Sequence, residues 1–350
     1  MIEAVTVERF RGLRQLEIEG FGRVNLIIGK NDCGKTALME AVSIVDCEHA
    51  AAHVAIGHQN FRRPHVPEAN SERFWLPLFW NHQDDQGFAI AARSSVRGKI
   101  RVEFRKGKTP STVLAAGATR WPREHTTWAI NMTVTGGPNP REEEITATPD
   151  ELKIPAIRGE GAWDWIRARP ADPDSMSGLV RAFSELKRTG DESRLLETLR
   201  VVDPRVVGAE ILAPTGNAAE IFVRLEPATP FLPIQMMGEG FQRCFELAVS
   251  AEINDWPTLF IDEFENGLHH SVLEPVWSRL ATISKQRNLQ VFATTHSEEC
   301  IHAASRAFTA MNDEGLRVIR LDRRKDETMA AIYDRALVET TAEAGIEIRG

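Results

Sequence analysis

Residues 29–36 read GKNDCGKT and satisfy G-x-x-x-x-G-K-[ST] in full. The octet follows the short apolar run VNLII and leads into KTALMEAVSIVDCEHAAAHVAI (35–56), where apolar residues return at helical spacing. A buried-type strand, a glycine-bearing turn and a helix, in that order, constrain the fold more than any other stretch. Gly29 and Gly34 let the loop wrap an anion closely. The loop and first-turn positions Asn31, Asp32, Cys33, Lys35, Thr36 and Ala37 supply N–H groups at a helix N-terminus, which favours negative charge. In that pattern Lys35 reaches the β- and γ-phosphates of a nucleotide, and the Thr36 hydroxyl ligates Mg²⁺.

Two later segments have the chemistry that such a loop needs. LFIDE (259–263) is an apolar strand ending in two carboxylates. At a strand end Asp262 suits a Mg²⁺ ligand, and Glu263 suits a general base that polarises an attacking water. FATTHS (292–297) is a second buried-type strand that ends in a histidine, and His296 can sense a γ-phosphate and hold the water. Taken alone, acids or a histidine at a strand end are commonplace surface features, and it is the phosphate loop that gives both a role. A third segment, MMGEGFQRCFELA (236–248), is a Gly-Glu-Gly turn opening a helix. Gly238 and Gly240 allow close backbone approach, and Glu239 lies between them at the helix start.

The rest of the chain alternates in character. IEAVTVERF and LRQLEIEGF read as strands joined through Arg11-Gly12, and 57–72 reads as a loop. Residues 73–135 hold alternating segments of an antiparallel sheet, and TGGPNPREEE (135–144) reads as a linker. Two amphipathic helices fall within 175–201, split at Thr189-Gly190, and strands then alternate with helices to LRVIRLDRR. The expected domains are an N-terminal lobe at 1–145, a helical insertion at 146–204 and a C-terminal lobe at 205–350. The net charge of −8 does not favour a chain built mainly to grip nucleic acid. RKGK (105–108) and DRRKD (322–326) are read as solvated strand ends or loops. The start has no charged-then-apolar leader, no apolar run approaches the roughly 20 residues that span a bilayer, and the four cysteines form no C-x-x-C pair. The expected location is a reducing cytoplasm, away from membranes.

The segments FRGLRQLEI, GKNDCGKTAL, MGEGFQR, IDEFENGLHHSV and FATTHSEECI, in that order, resemble the ABC-type ATPases of the SMC, RecF and OLD group. The chain is most similar to small standalone bacterial ATPases related to the OLD nucleases. The resemblance implies an α/β P-loop NTPase fold: an ABC-type ATPase head with a mixed or parallel core sheet, an antiparallel β subdomain and a helical insertion. It implies ATP and Mg²⁺ as cofactors and a homodimer or higher oligomer, in which the signature turn Gly238-Glu239-Gly240 of one subunit covers ATP on the other. Met237 departs from the transporter-type L-S-G-G-Q, which puts a hydroxyl contact there in doubt.

After TTHS about fifty residues remain, too few for a TOPRIM domain. The resemblance therefore implies a separately encoded TOPRIM-like effector, as in two-gene antiphage systems. The alternatives are a RecF- or SMC-like repair ATPase that binds DNA, and a nucleotide-dependent scaffold with little turnover. Three further readings stay open. Arg11 either approaches the nucleotide or is an exposed hairpin arginine. Gln83 or Gln86 either links lobes or sits in a plain polar loop. His269 and His270 either help form a dimer face or are structural.

Overall fold

Alternation in residues 2–19 builds a hairpin. β1 (Ile2–Phe10) and β2 (Leu13–Glu19) pair antiparallel, with Val7 opposite Leu16 and Phe10 opposite Leu13. The chain then passes through β3 (Val24–Ile28), buried along its whole length, and α1 (Lys35–Asp46). β4 (Phe88–Ser94), β5 (Gly98–Lys106), β6 (Trp128–Gly136), β7 (Arg141–Ala147) and β8 (Leu152–Lys153) extend the hairpin into one sheet. Its order is β2-β1-β4-β5-β6-β7-β8, antiparallel throughout. Phe88 stacks on Phe104 at 4.6 Å and meets Phe10 at 5.0 Å, and α1 packs on β1 and β4.

The computed structural model describes residues 1–47, 50, 54, 75–107, 128–147, 152–153, 164–166, 173–214, 216, 218–227, 230–253 and 257–343. Contacts divide the chain into two units. One comprises Met1–Phe21, Asn31–Ala162 and Leu321–Ala330; the other comprises Gly22–Lys30, Trp163–Arg320 and Ala331–Gly350. The seven-stranded sheet and α1 belong to the first.

After β3 the second unit resumes with β9 (Asp164–Ile166), α2 (Pro173–Thr189), α3 (Glu192–Val202), β10 (Val206–Leu212), β11 (Glu220–Leu225) and β12 (Leu232–Pro233). It continues through α4 (Glu239–Glu252), β13 (Thr258–Ile261), α5 (His270–Gln286), β14 (Gln290–Thr294) and α6 (Glu298–Ala310). β15 (Leu316–Arg324), β16 (Glu327–Asp334) and α7 (Arg335–Glu343) close the described chain. The central sheet runs β16-β15-β3-β14-β13-β9, with β15, β3, β14, β13 and β9 mutually parallel. β3, β13 and β14 are buried residue by residue because both faces of a parallel sheet are covered.

Helix α4 faces two cores. Cys244, Leu247 and Ala251 join the core around Ile261, Trp277 and Val291. Phe241, Phe245 and Val249 join a second core with Phe183, Leu199 and Val223, which α2, α3 and the β10-β11-β12 sheet supply. At its far end Glu252, 2% exposed, faces Arg287 at 3.2 Å and Arg279 at 3.8 Å, fixing α4 to α5.

The α/β class, the antiparallel sheet of 73–135 and the pair of helices split at Gly190 agree with the sequence reading. The linker expected at 135–144 does not. It is a hairpin loop followed by β7, a strand in which Glu142 and Glu144 are exposed while Arg141 and Glu143 pair with each other at 2.7 Å. Gly136 and Gly137 have φ of 71° and 64°, and a methyl on Gly136 would lie 2.1 Å from the Lys99 carbonyl oxygen. The glycines thus permit a tight turn against β5. The loop expected at 57–72 and Lys108 lie outside the described residues, and the helix expected over 35–56 is described from Lys35 to Asp46. β16 and α7 had no counterpart in the sequence reading.

Candidate functional site

The phosphate-type loop starts where β3 ends. Gly29 (φ 140°), Asp32 (φ 60°) and Gly34 (φ 102°) all take left-handed backbone. A methyl on Gly34 would lie 2.7 Å from Leu13 Cδ2, so only glycine fits there. Gly34 is the N-cap of α1 and makes no side-chain cap, and a helix N-terminus of this kind favours an anion. Asn31 and Asp32 are exposed, Cys33, Lys35 and Ala37 are buried, and Thr36 is half-buried. Burial pushes the Cys33 thiol up, against the opposing charge of Lys35, so it is a packing residue rather than a nucleophile.

In the central sheet β14 lies between β3 and β13. Because these strands are parallel, Gly29, the His296 segment and the Asp262-Glu263 pair all follow carboxyl ends on one edge, where open α/β sheets bind ligands. The Thr294 hydroxyl donates to Asp262 Oδ1 at 2.7 Å and accepts the Glu263 N–H at 2.8 Å. Glu263 has φ 47°, a strained value for a glutamate. Asn266 Nδ2 donates to Glu263 Oε2 at 2.6 Å, and Glu265 Oε1 accepts the His296 N–H at 2.8 Å.

The signature turn docks on the same region. Gly238 caps α4, and a methyl on it would meet nothing within 4 Å. At Gly240 a methyl would lie 2.5 Å from the Gly267 carbonyl oxygen, so this glycine is required by contact inside the chain. Glu239 is exposed at the first turn. One turn further, the buried Arg243 donates to the Asp262 carbonyl oxygen at 2.8 Å; burial pulls its guanidinium down, opposed by the charge of Glu246. Met236 is 74% exposed beside the open Gly238 position.

Among the described residues no group of three or more His, Cys, Asp or Glu is placed to hold a metal. Asp262, just past the end of β13, offers one carboxylate of the kind a nucleotide-borne Mg²⁺ takes, with phosphates and waters as its other ligands. The glycine cradle and uncapped helix start fit the phosphates.

A model of the family described as "AAA domain, putative AbiEii toxin, Type IV TA system" matches residues 24–301, from the start of β3 into α6. The chain belongs to this AAA domain family. An ATP/GTP phosphatase of Helicobacter pylori is 21% identical over 333 residues, spanning 86% of either protein. The Pyrococcus furiosus Smc head domain with an extended coiled coil, bound to the C-terminal domain of ScpA, superposes with a TM-score of 0.52 at 11% identity, covering 98% of both chains. An Smc head bound to the C-winged helix domain of ScpA gives 0.50 at 12% identity over 95% of this chain and 97% of that one. The AAA domain therefore shares the P-loop α/β fold of these Smc head domains.

Several residues of this AAA domain matter to the site and were missed from the sequence. Thr294, Arg243 and Glu265 act through contacts between segments that are distant in the chain, which no spacing rule points to, and Asn266 acts within the turn that follows Glu263. Arg11 is not an exposed hairpin arginine: it is half-buried, in an ion pair with the buried Glu40 of α1. His269 serves structurally as the N-cap of α5, accepting the Ser271 N–H, and its ring lies 4.0 Å from that of His270. Gln83 and Gln86 are both exposed. No helix among the described residues is long and apolar enough to cross a membrane.

Proposed function

We propose that this AAA domain is an ATP-driven switch. Two copies close around ATP, the closed form controls a separately encoded effector, and hydrolysis resets it. The observation that carries this is the order β3-β14-β13, which brings the ends of the phosphate-loop, histidine and carboxylate strands to one sheet edge. Within the reading, Lys35 and the loop N–H groups bind the β- and γ-phosphates. Thr36 and Asp262 hold Mg²⁺, which supplies charge neutralisation on the phosphates. Glu263 is the general base for the attacking water, and His296 orients that water. Gly238-Glu239-Gly240 of a second copy covers the γ-phosphate, and Arg11 supports the loop from α1.

Resemblance to the OLD-related ATPases supports a TOPRIM-related nuclease as the effector and antiphage defence as the setting. The family description favours a second setting, a toxin–antitoxin system. Growth arrest on expressing this chain alone, lost in Lys35→Ala, points to the toxin setting. Arrest only with an adjacent effector gene points to the switch.

The central test uses two variants. Lys35→Ala is expected to lose ATP binding by calorimetry. Glu263→Gln is expected to bind ATP but to hydrolyse it about 10²-fold more slowly, accumulating a closed dimer visible by light scattering. Unchanged affinity in the first, or unchanged turnover in the second, overturns the assignment.

A further inference from the structure

The turn after β13 carries a side chain that the hydrolytic reading leaves without a task. Glu265 Oε1 accepts the backbone N–H of His296 at 2.8 Å, while Glu265 Oε2 is buried with no hydrogen-bond partner among the described residues. A buried, unpaired carboxylate oxygen is costly, and packing alone would be served better by an apolar side chain. The histidine segment is tied on its other side as well: the Thr295 N–H donates to the Ile27 carbonyl of β3 at 3.2 Å. His296 thus lies between a sheet bond at Thr295 and a carboxylate that accepts its own N–H. The carboxylate makes the stronger tie, because a charged acceptor roughly doubles a hydrogen bond.

The same turn holds the other member of the hydrolytic pair. Asn266 donates its side chain to Glu263 Oε2 and its backbone N–H to the Glu263 carbonyl oxygen, at 2.6 and 3.0 Å. Two residues from Glu265, Gly267 is the backbone on which Gly240 of α4 rests. One short turn therefore touches Glu263, His296 and the start of the signature helix.

We propose that Glu265 is a positioning residue for His296 in nucleotide hydrolysis, holding the imidazole in a fixed relation to the Glu263 carboxylate. The proposal rests on the roles given to Glu263 and His296 above. Glu265 touches neither substrate nor metal in this scheme. It acts through the His296 backbone, and the turn moves the two hydrolytic side chains as one piece.

The test measures ATP turnover and binding of a non-hydrolysable ATP analogue by the full chain with Mg²⁺. The variants are Glu265→Ala, Glu265→Gln, His296→Ala and the double Glu265→Ala/His296→Ala. Glu265→Ala is expected to lower kcat about tenfold or more, as misplacement of a reacting group does. KM and analogue affinity should stay within about twofold, since ground-state binding is untouched. Glu265→Gln, which keeps an oxygen acceptor, is expected to recover most of the loss. The double variant is expected to be no slower than His296→Ala, because the two residues act as one unit.

Additive losses in the double variant, wild-type turnover in Glu265→Ala, or a parallel fall in analogue affinity each overturn the positioning role. Wild-type turnover in His296→Ala defeats the histidine reading itself, a distinct result. Should Glu265→Ala not fold, Glu265→Gln takes its place. A partial loss of kcat that disappears in the His296→Ala background supports the role, and an equal loss in both backgrounds overturns it.

Discussion

Thr294, the last residue of β14, donates its hydroxyl proton to Asp262 Oδ1 at 2.7 Å. The same oxygen accepts the N–H of Glu263, whose φ of 47° few glutamates adopt. One threonine therefore fixes the aim of the proposed metal ligand and the backbone of the proposed base.

Thr294→Val keeps the shape of the strand but removes both bonds. Thr294 is buried, so the Glu263 N–H is left without its acceptor, at a cost of about 1–3 kcal/mol. A lowered urea midpoint and slower ATP turnover are expected, with Thr294→Ser near wild type in both. A valine variant as stable and active as wild type removes Thr294 from the account.

The two signature glycines should respond differently. Gly240→Ala forces a methyl to 2.5 Å from the Gly267 carbonyl oxygen, and overpacking of this kind costs about 1–3 kcal/mol. Gly238→Ser meets open space in an N-cap position where serine is favoured, so stability should hold or rise. Chemical denaturation of both variants checks the contrast, and equal effects contradict it.

If the signature acts on a second copy, the active site is split between chains. Lys35→Ala lacks phosphate binding but keeps its turn. Gly238→Arg keeps its phosphate loop and has room for the side chain within its own chain, yet its bulky cation blocks a partner's nucleotide. Each variant alone is expected to be inactive, and a mixture given time to exchange subunits is expected to regain part of the ATPase rate. A mixture that exchanges and stays inactive removes the role in the partner's site.

The candidate site was partly legible because its chemistry depends on local patterns. GKNDCGKT needs glycines where φ turns positive, and the structure has Gly29 and Gly34 at 140° and 102°. LFIDE and FATTHS each read as an apolar strand with a polar end, since strands of a covered parallel sheet are buried on both faces. The run at 135–144 misled because Gly and Pro mark a hairpin loop as readily as a linker, and the charges of β7 conceal a strand paired with β6 and β8.

By itself the sequence determined the class of fold and singled out the phosphate-type loop, the carboxylates and the histidine as candidates, because each is read from residue type at short spacing. Only the tertiary structure decided which strand stands between β3 and β13, and with it that Thr294 reaches Asp262 across 32 positions of chain. It likewise decided that Gly240 is held by Gly267, that Glu265 meets His296 and that Arg11 pairs with Glu40. These contacts join segments far apart in sequence. Their geometry follows from strand order and helix packing, which no local propensity encodes.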